Sequence, residues 1–285
     1  MGLQVQATKI RTYTNLFIGV TSMFGSFSIL VGMGMGFYGQ ELNNIATARK
    51  YGVEIVEGTY DVPDGDVVHY RACLPKNRPE GARYPGVLFA PGIDINWEHW
   101  TPWCVALAHH DYITLMKDRP GDRPIENTQE IEAGLAFMRS VPEIDPTRVA
   151  LGGSSYGHRE VMNYILEHPD DIPGYFNISG YNDPQKMQTA GSFETHTAQV
   201  LVMSGGGEDL GGDCDQQGFE WTSEFTQKLL DERSESLWYR KVFDAETYGC
   251  TPHGYMWDPR HPATAESAKL ILQFLEEIIG QGPTL

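Results

Sequence analysis

The chain has 285 residues, of which 41% are hydrophobic and 21% charged, a composition typical of globular proteins that excludes a fibrous or disordered chain. Lys and Arg together number 21 and Asp and Glu 38, so the formal net charge is -17. A chain this acidic would repel a phosphate backbone, and nucleic acid is therefore not expected as a partner. The length alone allows one large domain or two of average size.

The first part of the chain differs in composition from the rest. No charged residue occurs between Thr12 and Gln40, and residues 16–38 are apolar or small throughout. As a helix this stretch is long enough to cross a hydrocarbon layer of ~30 Å, so it predicts a membrane-spanning segment. Lys9 and Arg11 precede it, which favours a cytoplasmic N-terminus and an extracytoplasmic remainder.

Two other interpretations of this segment remain open. It could be a cleaved signal peptide, which would leave a secreted or periplasmic protein, although its apolar core is longer than usual. It could also be a helix docked on the folded domain or on a partner subunit, since it is rich in glycine and a homo-oligomer is possible. In each case we divide the chain into an N-terminal segment, 1–45, and one folded domain, 46–285.

The domain begins with an alternating pattern and continues with short apolar runs. Residues 53–57 and 67–72 alternate around the turn Pro63-Asp64-Gly65, which predicts a β-hairpin. Six apolar runs follow, at 86–90, 113–116, 148–151, 174–178, 200–203 and 237–243. Because helical patterns separate most of these runs, the sequence predicts an α/β fold with a mostly parallel eight-stranded sheet covered by helices on both faces, preceded by the N-terminal apolar helix.

A Gly-x-Ser-x-Gly motif, Gly153–Gly157, lies directly after one buried run and directly before a helical pattern. In that context a serine is held in a strained turn, where its hydroxyl projects beside a helix N-terminus. We therefore expect Ser155 to be a nucleophile. A serine hydroxyl needs a base to remove its proton, and the base needs an acid to orient it.

His253 is the best candidate for the base. It follows the last apolar run and precedes the last helical pattern, where the neighbouring strand order lets it reach Ser155. His158, directly after the motif, is the weaker alternative. For the acid we select Asp209, in the glycine-rich loop after residues 200–203, with Glu208 and then Asp213 as alternatives.

The remaining site residues are expected from the same arrangement. Backbone amides of Tyr156, directly after the nucleophile, and of Ile93, in the loop after residues 86–90, are predicted to form the oxyanion hole. Three aromatic residues are candidates for an apolar acyl pocket, although aromatic residues on an amphipathic helix also serve as core: Trp97, Tyr181 and Trp257.

The four cysteines divide into two pairs of different character. Cys214 and Cys250 lie in the predicted acid loop and just before the predicted base, so an extracytoplasmic domain could join them in a disulfide. Cys73 and Cys104 fall on a predicted strand and helix and are expected to be buried thiols. No cluster of His, Cys or carboxylate residues has metal-ligand spacing, so neither a metal nor another cofactor is expected.

These residues resemble the dienelactone-hydrolase and prolyl-oligopeptidase-like branch of the α/β-hydrolase superfamily. Four landmarks carry the resemblance, over roughly residues 52–280: Pro91-Gly92, Asp118–Gly121, Gly153–Gly157 and His253–Tyr255. Two departures from the family pattern, which would reshape the pocket, are Pro91 in place of a histidine and His158 in place of a small residue.

The resemblance implies a Ser155, Asp209 and His253 triad and activities that span carboxylesters, lactones, thioesters and peptides. The leading expectation is a membrane-anchored serine esterase that hydrolyses small or medium apolar acyl esters through an acyl-serine intermediate. A serine peptidase or acyltransferase on the same triad is the second possibility. The third is a non-catalytic hydrolase-like subunit of a membrane assembly.

Overall fold

The computed structural model describes residues 40–63, 65–92, 97–118, 128–180, 192–206, 214 and 216–284. Its eight strands form one sheet. The strands are β1 Val53–Asp61, β2 Val67–Pro75, β3 Tyr84–Ala90, β4 Ile113–Lys117, β5 Ile144–Ser154, β6 Gly174–Ile178, β7 Gln199–Gly205 and β8 Leu237–Phe243. Every residue of β3, β4 and β6 is buried, which explains why the sequence shows them as continuous apolar runs rather than as alternation.

The strand order across the sheet is β1-β2-β4-β3-β5-β6-β7-β8. β1 and β2 form the predicted antiparallel hairpin, and β2 also pairs antiparallel with β4. All other neighbours are parallel. The predicted mostly parallel eight-stranded sheet is therefore confirmed, and the carboxyl ends of β3 to β8 meet at one edge, which we call the carboxyl edge.

Helices cover both faces of the sheet. They are α1 (residues 40–50), α2 Trp97–His109, α3 Thr128–Ser140, α4 Tyr156–Glu167, α5 Gln216–Arg233, α6 Ala245–Tyr248 and α7 Pro262–Ile279. Apolar residues of α3, α4 and α5 pack into one core, and residues of α1, α2 and α7 pack into the other, on the opposite face. This arrangement buries both faces of the inner parallel strands, as their apolar composition requires, whereas the edge strand β8 is only partly buried.

A buried ionic cluster lies beneath the carboxyl end of β4. The Nζ of Lys117 lies 2.6 Å from a carboxylate oxygen of Glu130, on α3, and 2.8 Å from one of Glu160, on α4. All three side chains are at most 3% exposed. Because an unpaired charge is costly at such depth, this cluster fixes the positions of both helices relative to the sheet.

The expectation that Cys73 and Cys104 are free buried thiols is wrong. The structure joins them in a disulfide between β2 and α2, with their Cα atoms 5.5 Å apart. The two residues are 31 positions apart in the sequence, and they meet because α2 packs across β2 on the face of the sheet that α1, α2 and α7 cover. That contact is tertiary, so the spacing of the cysteines gave no indication of it.

The predicted membrane-spanning segment, 16–38, lies outside the described residues. Among the residues that are described, no helix combines the length and apolar character needed to cross a bilayer. The described chain begins at α1, where Gln40 and Asn44 both donate side-chain hydrogen bonds to the carbonyl oxygen of Glu98, at 3.3 and 3.0 Å.

The ionic cluster gives a prediction for stability. Replacing Lys117 by Met leaves the carboxylates of Glu130 and Glu160 buried without their cation, so we expect the free energy of unfolding to fall by about 3–5 kcal/mol. Urea unfolding measures this change. The matched control is Lys269→Met, which breaks an exposed pair with Glu266 and should change stability by less than about 1 kcal/mol. Equal losses in the two variants would contradict a stabilising role for the buried cluster.

Candidate active site

Ser155 lies in the turn that joins β5 to α4, with backbone angles of φ 49° and ψ -126°. A non-glycine residue held in such a sparsely populated conformation costs about 1–3 kcal/mol. Two backbone hydrogen bonds hold the turn: the amide of Ser155 donates to the carbonyl of Ile178 at 3.3 Å, and the amide of His158 donates to the carbonyl of Ser155 at 3.2 Å. The sequence-predicted nucleophile is therefore the strained residue of the turn.

Both glycines of the motif sit where a side chain would collide with backbone. A Cβ atom on Gly157 would lie 2.0 Å from the carbonyl oxygen of Ala90, at the end of β3. A Cβ atom on Gly153 would lie 2.6 Å from the Cα of His158. The start of α4 packs directly against the end of β3, with no space for a side chain at either glycine. This explains why the turn requires glycine on both sides of Ser155.

The turn also positions the predicted oxyanion donors. Tyr156 is the first residue of α4, so its amide stands at the positive end of the helix dipole. The predicted second donor, Ile93, lies outside the described residues. Its neighbours Pro91 and Gly92 are buried at the end of β3, and the carbonyl of Pro91 would lie 2.5 Å from a Cβ on Gly157. The loop that carries Ile93 thus leaves from a point beside the nucleophile turn.

His253 lies between α6 and a one-turn helix, Tyr255–Trp257, and is partly buried. The loop around it is anchored on β7, because a Cβ on Gly205 would lie only 2.4 Å from the carbonyl oxygen of Thr251. β7 is two strands from β5 in the sheet, a separation of about 10 Å. The structure therefore brings the loop of the predicted base and the predicted nucleophile to the same edge.

The predicted acid, Asp209, and its alternatives Glu208 and Asp213 lie outside the described residues. The structure nevertheless fixes both ends of the loop that carries them. At one end β7 stops at Gly205, against Thr251, and at the other end Cys214 forms a disulfide with Cys250, with Cα atoms 4.9 Å apart. Both attachment points belong to the loop that carries His253.

The aromatic candidates differ in their surroundings. The ring of Trp257 packs against His99 and Trp100, with centroids 6.0 and 6.1 Å away, which places it between α2 and the loop that carries His253. Trp97 begins α2, and the guanidinium of Arg71 lies 5.1 Å from its ring centroid. Tyr181 lies outside the described residues. The pocket roles of all three remain predictions.

A layer of buried polar side chains, which was not predicted from the sequence, lies beneath the carboxyl edge. Asn177 on β6, Ser204 on β7 and Ser179 directly after β6 are fully buried, and none has a hydrogen-bond partner in the structure. Ser179 has a φ of 46°, so strained serines follow both β5 and β6. The sequence signals for this layer were Asn177 within one apolar run, and Ser179 and Ser204 directly after two of the runs.

Two further histidines, His158 and His196, are fully buried among aromatic rings. His158, the weaker candidate for the base, is fully buried, and its ring packs at 5.0 Å against Phe225 and at 6.0 Å against Tyr175. Burial, with a contribution from the charge of Arg233, lowers the pKa of His196 to about 4, so this ring is neutral at pH 7. Burial also raises the pKa of Tyr175 well above its ordinary value.

The arrangement can support nucleophilic chemistry. A strained serine, a helix N-terminus and a histidine loop meet at one edge of a rigid sheet, which is the geometry that acyl transfer uses. Within the described residues, no three His, Cys, Asp or Glu side chains are grouped so that they could hold a metal ion.

Neither a family model nor a curated protein sequence matches the chain. Solved structures do match. The esterase Est22 superposes with a TM-score of 0.66 at 12% identity, over 88% of this chain and 89% of its own. The esterase LipW from Mycobacterium marinum gives a TM-score of 0.62 at 13% identity, over 90% and 91% of the two chains.

A peptidase-like structure matches as well. A dipeptidyl aminopeptidase IV candidate from Bacteroides ovatus gives a TM-score of 0.60 at 17% identity over 79% of this chain. The present chain spans only 36% of that protein's length, so the likeness concerns one part of it. The strand order, the strained serine turn and these structural likenesses agree with the resemblance found in the sequence, and the chain has the α/β-hydrolase fold.

Proposed function

We propose that the chain is a serine hydrolase that cleaves carboxylester bonds, or the related lactone and thioester bonds, through an acyl-serine intermediate. The observation that carries this proposal is the strained backbone of Ser155 between a buried strand and a helix. Strain of this kind persists only where the surrounding structure maintains it, and it is concentrated at functional sites. The likeness to two esterases over most of both chains supports the same reaction class.

In the proposed reaction the Oγ of Ser155 attacks the acyl carbon while His253 accepts the hydroxyl proton. The tetrahedral oxyanion is stabilised by the amide of Tyr156 and by a second amide from Ile93, each worth roughly 3–4 kcal/mol of barrier. The leaving alcohol takes the proton from His253. Water then attacks the acyl-serine with the same histidine as base, releasing the acid and regenerating the hydroxyl of Ser155.

The acid that orients His253 is proposed to be Asp209. Both ends of its loop are attached to the loop of the base, which supports a carboxylate from this loop as the partner of the imidazole. A buried acid holds the imidazole in the tautomer that can accept the proton and stabilises the cation that forms.

A peptidase or acyltransferase on the same triad is the second candidate. The likeness to a dipeptidyl aminopeptidase IV candidate favours it, since the same triad cleaves amides when a site exists for the amine. Comparing p-nitrophenyl esters of increasing chain length with aminoacyl p-nitroanilides separates the two. Ester turnover with no anilide turnover supports the esterase, and the chain-length optimum measures the acyl pocket.

We also propose that residues 16–38 anchor the domain in a membrane, with the domain on the extracytoplasmic side. Their uncharged, apolar composition supports this, as do the two disulfides, which are typical of oxidising compartments. The described chain starts at Gln40, which is hydrogen-bonded to the first turn of α2, so an anchor would be attached beside the loop that carries Ile93.

The nucleophile is tested with a fluorophosphonate probe, which labels activated serines covalently. We expect wild-type protein to be labelled, and Ser155→Ala to abolish labelling and lower ester turnover by at least about 10⁴-fold. The matched control is Ser154→Ala, one residue earlier, whose side chain is buried at the end of β5 and should leave labelling intact. A folded wild type that neither labels nor hydrolyses any ester would refute the proposed function and leave the non-catalytic subunit as the interpretation.

The close approach at Gly157 gives a second prediction. An alanine here must move away from the carbonyl of Ala90 by about 1 Å, and a displacement of that size lowers a rate by about 10²-fold. We expect Gly157→Ala to reduce kcat by about that factor in a protein that still folds. Gly52→Ala is the control, because its positive φ costs about 1 kcal/mol of stability while no atom within 4 Å is displaced. Unchanged kcat in Gly157→Ala would exclude a geometric role for the turn.

The proposed anchor is tested by alkaline carbonate extraction of membranes from cells that express the full chain. We expect the wild type in the pellet, and the double variant Ile29→Arg and Leu30→Arg in the supernatant, because each central arginine costs about 2.5–3.5 kcal/mol of insertion. Leu42→Arg, at an exposed apolar position of α1 outside the segment, should remain in the pellet. A wild type extracted at alkaline pH would argue against the anchor.

A further inference from the structure

The Cys214–Cys250 disulfide joins the loop that carries the predicted base to the end of the segment that carries the predicted acid. Cys250 is three residues before His253 in the same loop. Cys214 ends the segment that leaves β7 at Gly205 and carries the predicted acid. The bond therefore connects the predicted base loop and the predicted acid loop directly.

The segment of the base loop before His253 has little buried surface. None of the residues from Asp244 to Cys250 is buried, and α6 is a single four-residue turn capped by the Asp244 side chain. Its noncovalent contacts include the ring of Tyr248 against that of Phe243, with centroids 5.0 Å apart, and a 3.2 Å contact between the Nε2 of His261 and the carbonyl of Cys250. Contacts with little apolar burial give weak local stability, so the covalent bond adds a strong restraint on the position of this segment.

We propose that Cys214 and Cys250 are positioning residues whose disulfide holds the loop of His253 in place at the sheet edge, and that its reduction by a dithiol switches turnover off reversibly. This proposal rests on the proposed function of the triad. The dithiol supplies two electrons and two protons, so the disulfide becomes two thiols while the reductant closes to a cyclic disulfide. Reoxidation restores the bond and the geometry.

The two disulfides of the chain differ in how accessible they are to such a reductant. Cys250 is exposed and Cys214 partly exposed, whereas Cys73 and Cys104 are each 0% exposed. Thiol–disulfide exchange requires that a thiolate reach a sulfur atom. The Cys214–Cys250 bond, which we call the outer disulfide, should therefore react first. The buried Cys73–Cys104 bond, which we call the inner disulfide, joins β2 to α2, away from the loops, and serves as an internal control.

The experiment measures ester turnover of the full chain before and after mild treatment with dithiothreitol, with reduced cysteines identified by alkylation and mass spectrometry. We expect reduction of the outer disulfide alone to lower kcat by tenfold or more while KM changes by less than about twofold, since a misplaced base and acid affect the chemical step more than substrate binding. Reoxidation should restore kcat. Full kcat in protein whose outer disulfide is shown to be reduced would overturn the proposal.

Variants separate positioning from general stability. Cys214→Ser with Cys250→Ser should have the low kcat of the reduced wild type and no response to dithiothreitol. Cys73→Ala with Cys104→Ala should melt at a lower temperature but keep its kcat and its response. Equal kcat losses in the two double variants, both folded by circular dichroism, would indicate a purely stabilising role and overturn the proposal.

A second readout does not depend on catalysis. Hydrogen–deuterium exchange of peptides that cover residues 245–254 should accelerate on reduction, while peptides from β5 and α4 stay unchanged. If the oxidised protein neither labels with a fluorophosphonate nor turns over esters, the proposed function fails. Unchanged exchange in residues 245–254 after reduction would by itself refute the restraint.

Discussion

The close packing of α4 against the end of β3 is the constraint on which the rest of the site depends. Gly157 leaves no room for a Cβ beside the carbonyl of Ala90, and this contact forces the chain to turn sharply at Ser155. The turn is stabilised from below by the sheet, since the Ser155 amide donates to Ile178 on the next strand. Rigid neighbours thus maintain the strained backbone and hold the side chain of Ser155 at a fixed place on the carboxyl edge.

The parallel sheet explains why residues far apart in the sequence meet at that edge. Each parallel strand ends on the same side, so the loops after β3, β5, β7 and β8 emerge together. Lys117 and its two glutamates hold α3 and α4 on the sheet from within, and the Cys214–Cys250 bond ties the outer loops to each other. The strands provide the rigid part of the site, whereas the segment from Asp244 to Cys250, in which no residue is buried, is also held by a covalent link.

Sequence patterns were sufficient for the sheet because buried parallel strands require continuous apolar runs, and all six such runs became strands. They were also sufficient to locate Ser155, whose glycine neighbours reflect a local backbone requirement. They failed for Cys73 and Cys104, whose pairing depends on how α2 lies across β2, and for the buried polar layer of Asn177 and Ser204. Local patterns record the conformation of the backbone, whereas contacts between distant elements depend on packing that they do not record. The choice of Asp209 over Glu208 is a question of this second kind and remains a prediction.

The central claim is that an acyl group is transferred to Ser155 before water releases it. Stopped-flow mixing of the protein with a p-nitrophenyl ester tests this directly, with an acid quench and mass analysis of the peptide that contains the turn. The account predicts a burst approaching one nitrophenolate per chain, followed by slower steady turnover, and an acyl adduct on Ser155. Such a burst with the adduct on another residue, or trapped complexes that carry no acyl adduct, would contradict it.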